Sequence, residues 1–207
     1  MRKLLSIVMA KHMGETITMD TAKDMVRELF PDVSFPPERF GTVIFEGYRF
    51  QAEKFADVLP ELHSLHEQHW SETEGARHGL QMNPDYDRMA DAERAGLMLQ
   101  FTARHDGKLV GNIRMYLFDD MHTQTLAAKE DTFFLLPEAR KGAVAIKFWK
   151  FMEDSLRQLG VREIRTDSKV LYDQDGNLTR DIGKLNKRLG YSHVSNGYLK
   201  RLEPIDG

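Results

Sequence analysis

The sequence contains no cysteine. Disulfides, thiolate nucleophiles and Cys-ligated zinc are therefore excluded. It also lacks an excess of either charge: 29 Lys and Arg stand against 32 Asp and Glu, a formal net charge of −3. That balance gives no electrostatic argument for a nucleic-acid partner. No apolar run reaches the length of about 18 residues that a membrane span needs. Arg2 and Lys3 followed by a short apolar run faintly resemble a signal peptide, but Lys11 and His12 break the run. A soluble, cytoplasmic protein without a membrane partner is the expectation. Repeats and low-complexity tracts are missing. So are a P-loop, since only Gly183-Lys184-Leu185 occurs, and a G-x-G-x-x-G dinucleotide fingerprint.

What is present is one ordinary domain's worth of chain, 207 residues, with a small extension. Residues 1–42 read as that extension and 43–207 as the main domain. Leu4 to Met9 fits a short strand or the first part of a helix. Asp20 is a candidate N-cap for a helix carrying Ala22, Met25, Val26, Leu29 and Phe30, which Pro31 stops. Val43 to Phe50 alternates as a strand would. A helix is expected over Ala52 to His69, bent or split at Pro60, then a polar loop over Ser71 to Asn83 and a second helix that stops at Gly96.

Leu97, Leu99, Phe101 and Ala103 share one parity and lead into the turn pair Asp106-Gly107. Leu109 to Phe118 returns as a strand. A third strand, about Leu126 to Leu136, ends in a continuous apolar run, as a strand covered on both faces would. Gly142 to Leu159 is a strongly amphipathic helix, and Val161 to Thr166 a short strand suited to a right-handed parallel crossover. A loop over Tyr172 to Leu178, a helix over Thr179 to Leu189 and a hairpin around Asn196-Gly197 complete the chain. The order implies a mixed α/β, or α+β, layer architecture.

The informative stretch is Leu136-Pro137-Glu138-Ala139-Arg140-Lys141-Gly142-Ala143-Val144-Ala145. It joins an apolar strand to a long helix. Small residues permit close approach to the backbone, and the free N–H groups of a helix start suit an anion. Arg140 and Lys141 add charge beside them. A phosphate or diphosphate is the natural ligand; a tight turn with exposed basic residues is the other reading.

This stretch resembles the acetyl-coenzyme-A-binding motif of the GCN5-related N-acetyltransferases. That family shows Arg or Gln, two variable residues, Gly, one variable residue, then Gly or Ala. Here the positions are Arg140, Lys141, Gly142, Ala143, Val144 and Ala145, with Ala143 where the first glycine usually stands. The stretch Ile182, Leu185-Asn186, Lys187-Arg188, Leu189 and Gly190-Tyr191 resembles a second family segment. The resemblance implies a central mixed twisted sheet with helices on both faces. It further implies that the backbone of Phe134, Leu135 and Leu136 holds the pantetheine arm and that Arg140 to Ala145 cradle the diphosphate. Acetyl would pass from acetyl-coenzyme A, as cosubstrate, to a primary amine of a small molecule or protein. Many members place a tyrosine acid where Asn186 stands, which leaves Tyr172 and Tyr191 as substitutes. Glu130 is the candidate base, with Asp131 on the opposite face if the strand is regular. No metal is implied. A fold kept for binding or assembly without catalysis, or one using another acyl donor, is the rival.

Three further features have plainer readings. His63, His66 and His69 fit a wet helix face rather than a metal site. Phe45, Tyr48 and Phe50 fit either an acceptor pocket or the core, and Trp149 the core. Asp173, Asp175 and Asn177 fit a plain turn. The extension is open to three uses: a homodimer contact, a lid, or a partner contact.

Overall fold

A computed structural model describes residues 2–75, 81–167, 170–172, 178–181 and 183–194. The chain divides into two compact units, 1–167 and 168–207, each described by itself.

Helices α1 (Arg2–Lys11) and α2 (Met19–Leu29) open the first unit. Thr18, not Asp20, caps α2, its hydroxyl accepting from the Thr21 amide; Asp20 lies inside the first turn. The expected strand over Val43 to Phe50 is a hairpin, β1 (Thr42–Phe45) and β2 (Tyr48–Ala52). Its turn pair Glu46-Gly47 has φ of 49° and 81°. Glu-Gly signals such a turn less clearly than Asn-Gly or Asp-Gly. Helix α3 (Phe55–Trp70) starts later than expected, because Ala52 belongs to β2. It runs through Pro60 unsplit. Pro60 and Ala56, whose carbonyl the missing N–H would have met, are both exposed, so water can take that carbonyl. A π-helical turn, Ser71–Gly75, extends α3 where a loop was expected. Helix α4 (Tyr86–Arg94) follows, capped by Asp85.

Strands β3 (Met98–His105), β4 (Lys108–Asp119) and β5 (Leu126–Leu135) form the antiparallel centre. Asp106 and Gly107 make the expected turn, with φ of 50° and 79°. Helix α5 (Val144–Gln158) crosses to β6 (Glu163–Arg165), which pairs parallel with β5. The sheet order is β1-β2-β3-β4-β5-β6.

Helices cover both faces of the sheet. On one side α5 packs Phe148 against Phe50 at 5.2 Å between ring centroids, and Trp149 against Phe133 at 4.9 Å. On the other, Phe55, Val58, Leu62 and Leu65 of α3 bury Met98, Leu109 and Phe134. Phe133 and Phe134 thus serve opposite layers, as the continuous apolar run implied.

In the second unit β7 (Val170–Tyr172) and β8 (Leu178–Asp181) pair antiparallel, and α6 (Gly183–Arg188) follows. The helix expected over Thr179 to Leu189 is therefore shorter, its first residues being strand. Tyr172 closes a strand rather than opening a loop. Tyr191 to Val194 are in no strand. Asp173, Asp175, Asn177 and the turn at Asn196-Gly197 lie outside the described residues.

Candidate functional site: the fork beside β5

The ladder between β5 and β6 is confined to Ala127–Lys129 against Glu163–Arg165. Just beyond the last pair, the Thr166 hydroxyl donates to Glu130 Oε2 at 2.7 Å and bridges the two strands. From residue 131 to 135, β4 is the only sheet partner of β5 among the described residues. The sheet therefore forks at Glu130.

At the fork β5 carries a bulge. Arg114 opposes Thr132 while Met115 opposes Glu130, so Asp131 is the extra residue. The strand is not regular there, and the two carboxylates part. Glu130 meets Thr166, whereas Asp131 turns to Arg114, whose Nη1 lies 3.2 Å from Asp131 Oδ2.

The turn after β5 is open at its glycine. Pro137–Ala139 form a single 3-10 turn, and Gly142 has φ of 52°. A Cβ built on Gly142 would meet only Glu46 Oε2, at 3.9 Å. Helix α5 begins at Val144, two residues later than expected, since Gly142 is left-handed. Ala143 stands at the cap position without a side-chain cap, and the first turn carries no acidic residue. An uncapped helix start beside an open glycine suits a phosphate.

Arg140 is not directed into solvent. Its Nε donates to the Leu135 carbonyl at 2.7 Å, and its Nη2 lies 2.9 and 2.8 Å from the two carboxylate oxygens of Glu72. The guanidinium carbon sits 5.1 Å from the centre of the Phe134 ring. The Leu136 amide donates to the Val110 carbonyl at 2.8 Å, so it is engaged by β4.

Sequence reasoning missed a buried polar cluster under α3 and α4. Arg114, 2 % exposed, donates Nε to Gln100 Oε1 at 3.3 Å and Nη2 to His66 Nε2 at 2.9 Å. Arginine can only donate, so His66 Nε2 is unprotonated and Nδ1 carries the hydrogen. Nδ1 then donates to the Tyr86 hydroxyl at 3.0 Å. Burial, with the Arg114 charge behind it, pushes the His66 pKa down to about 4. Burial first, and then the Asp131 charge, raise the Tyr116 phenol. Asn112 is fully buried with no partner for either side-chain polar atom. The wet face expected for the three histidines is thus corrected at His66, which is 8 % exposed. His63 is exposed and edges onto Tyr86, and His69 tilts over Phe134 at 5.1 Å. The signal was available in the chain: Gln100, Asn112 and Arg114 alternate on strands that two helices could cover.

The other candidates are dispersed. Phe50 is core, Tyr48 lies against His105 at 4.5 Å, and Phe45 lies under Lys147 Nζ at 5.5 Å. Asn186 lies in α6 and Tyr172 in β7, both in the second unit. The Asn186 carbonyl accepts from the Leu189 and Tyr191 amides. A hollow of about 260 Å³ lies along the outer side of α5, against Phe40 and Val43; it contains no residue expected at the site.

No family model matches the chain, and no curated protein matches it. Solved structures do match. A ribosomal-protein-alanine N-acetyltransferase from Brucella melitensis superposes with a TM-score of 0.56 at 16% identity, over 75% of this chain and 99% of that one. An aminoglycoside acetyltransferase from an uncultured soil metagenomic sample gives 0.58 at 12% identity, over 78% and 100%. An acetyltransferase from Clostridium acetobutylicum, solved with acetyl-CoA, gives 0.53 at 11% identity, over 74% and 96%. The fold is that of the GCN5-related N-acetyltransferases. Within this acetyltransferase fold, the strand that forks is β5 and the helix that follows its turn is α5.

Proposed function

We propose that the chain is an N-acetyltransferase that moves acetyl from acetyl-coenzyme A to a primary amine, with 43–207 as its acyltransferase domain and 1–42 as an appended element. The observation that carries this reading is the fork. A strand edge without a partner ends in an open turn with an uncapped helix start. An extended arm ending in a diphosphate is complementary to that sequence of features.

In this reading the backbone of Phe134 and Leu135 holds the arm, with Leu136 at its end. Gly142, Ala143, Val144 and Ala145 present amides to the diphosphate, and Arg140 and Lys141 neutralise its charge. The amine lone pair attacks the thioester carbonyl carbon, the carbon–sulfur bond breaks, and the coenzyme departs as thiolate. The proton lost by the amine goes to Glu130 at the fork, directly or through water. Tyr172 and Asn186, the first as acid and the second as hydrogen-bond donor, are assigned to the departing sulfur. The acceptor belongs to the class of small-molecule or protein amines.

A second reading, binding without catalysis, draws on Asn186 at the acid position and on the engagement of Arg140. Calorimetric titration of the full chain with acetyl-coenzyme A tests both. Saturable binding that Arg140→Ala weakens about tenfold or more is expected, as for loss of a charge-assisted phosphate contact. Binding that Arg140→Ala leaves untouched removes the phosphate role of Arg140. Binding without turnover over a broad panel of amines favours the second reading.

A further inference from the structure

Glu72 competes with a diphosphate for the same cation; this inference rests on the coenzyme site proposed above. Three contacts fold Arg140 back onto β5: its Nε to the Leu135 carbonyl, its Nη2 to both oxygens of Glu72, and its guanidinium over Phe134. The ion pair is partly shielded, with 20% and 30% of the Arg140 and Glu72 side chains exposed. Glu72 is itself held. It lies in the π-helical turn after α3, where the Ser71 hydroxyl donates to the Gln68 carbonyl and the Thr73 hydroxyl to the His69 carbonyl, each at 2.8 Å. The same stretch is moored by the His69 ring over Phe134.

A guanidinium fork fits a carboxylate and a phosphate equally well, but the same N–H groups serve one of them at a time. Arg140 held by Glu72 is therefore withheld from the anion cradle at Gly142, and its Nε occupies a carbonyl on the open edge of β5. We propose that Glu72 is a gating residue for the coenzyme. In the free chain it keeps Arg140 on β5, and a diphosphate gains Arg140 by displacing it. The exchange releases the Leu135 carbonyl and the end of α3 together. Binding at the turn is thus linked to the connection between α3 and α4. Glu46, whose carboxylate stands beside Gly142, adds repulsion without holding the cation.

The test is a calorimetric titration of the intact chain with acetyl-coenzyme A for the wild type, Glu72→Gln, Glu72→Ala, Arg140→Ala and the double variant Glu72→Gln/Arg140→Ala, with thermal melts to confirm folding. A structural staple would lose affinity when cut. A gate gains it: Glu72→Gln and Glu72→Ala bind about three- to fivefold tighter, the scale of one partly exposed ion pair. The double variant binds no tighter than Arg140→Ala. Wild-type binding that neither Glu72 variant tightens overturns the gate and leaves the coenzyme site standing. A double variant as tight as Glu72→Gln also overturns it, because the gain would not pass through Arg140. Absence of binding in every folded variant removes the coenzyme site, and the gate with it.

Discussion

Arg114 carries a permanent charge into a position that is 2 % exposed, and Asp131 is the one carboxylate hydrogen-bonded to it among the described residues. Gln100 and His66 contribute neutral acceptors only. The bulge at Asp131 brings that carboxylate to the guanidinium face. Removing one side of such a pair costs far more than replacing both, because a buried charge is left without compensation. Asp131→Ala should therefore destabilise the chain by about 2–3 kcal/mol in urea unfolding. Arg114→Met added to it should recover most of that loss. A loss that the second substitution deepens would mean that Arg114 is stabilised by its neutral partners alone. The same division separates the two neighbours in β5: Asp131 serves the buried cluster, and Glu130 stands at the fork.

At the scale of elements, the position of the fork depends on how closely β4 approaches β5. Gly111 is where they touch. A Cβ there would lie 2.8 Å from the Phe134 carbonyl oxygen and 2.3 Å from Leu135 Cδ2. The first neighbour is backbone and cannot rotate aside. Gly111→Ala should cost about 1–3 kcal/mol, as overpacking does, and should also weaken acetyl-coenzyme A binding because Phe134 and Leu135 line the open edge. Unfolding and titration on the same variant check both parts; unchanged stability would show that β5 yields freely at that point. The two hairpin turns show how local chemistry is read. Asp106-Gly107 was legible because the pair is a strong left-handed turn signal, and Glu46-Gly47 was not, although its backbone is the same. Helix α5 was legible over its apolar stripe and misplaced at its start, where Gly142 adopts a left-handed conformation.

For the whole molecule, acid sensitivity follows from the covered polar cluster. His66 ordinarily titrates near 6.5 and is held down to about 4 in the fold. Between those values the unfolded chain binds more protons, so stability falls as pH drops through this window and is level above it. The slope from one such group is at most about 1.4 kcal/mol per pH unit. Glu93, which burial pushes up, acts in the opposite sense just above pH 4.5. Glu61 and Asp120, held below the usual carboxylate range by Arg104 and Arg165, withdraw their contributions only at lower pH. The difference between wild type and His66→Gln isolates the histidine. Urea midpoints from pH 7 to pH 4.5 should fall more steeply for the wild type, and parallel curves would show that His66 does not titrate in this window.

Local chemistry was enough to read the order of strands and helices, the apolar stripe of α5, the Asp106-Gly107 turn and the small-residue stretch after β5. Each is a matter of neighbours a few residues apart, and side-chain spacing and backbone preference act at that range. The side chains on β3 show what this range leaves open. Leu99, Phe101 and Ala103 mark one buried face, yet Met98, Gln100 and Thr102 on the other are equally buried, because α3 and α4 cover what α5 does not. The tautomer of His66, the parting of Glu130 from Asp131, and the hold of Glu72 on Arg140 are likewise decided only in three dimensions. Their partners lie 17 to 68 residues apart in the chain, and no local period encodes a contact made across that distance.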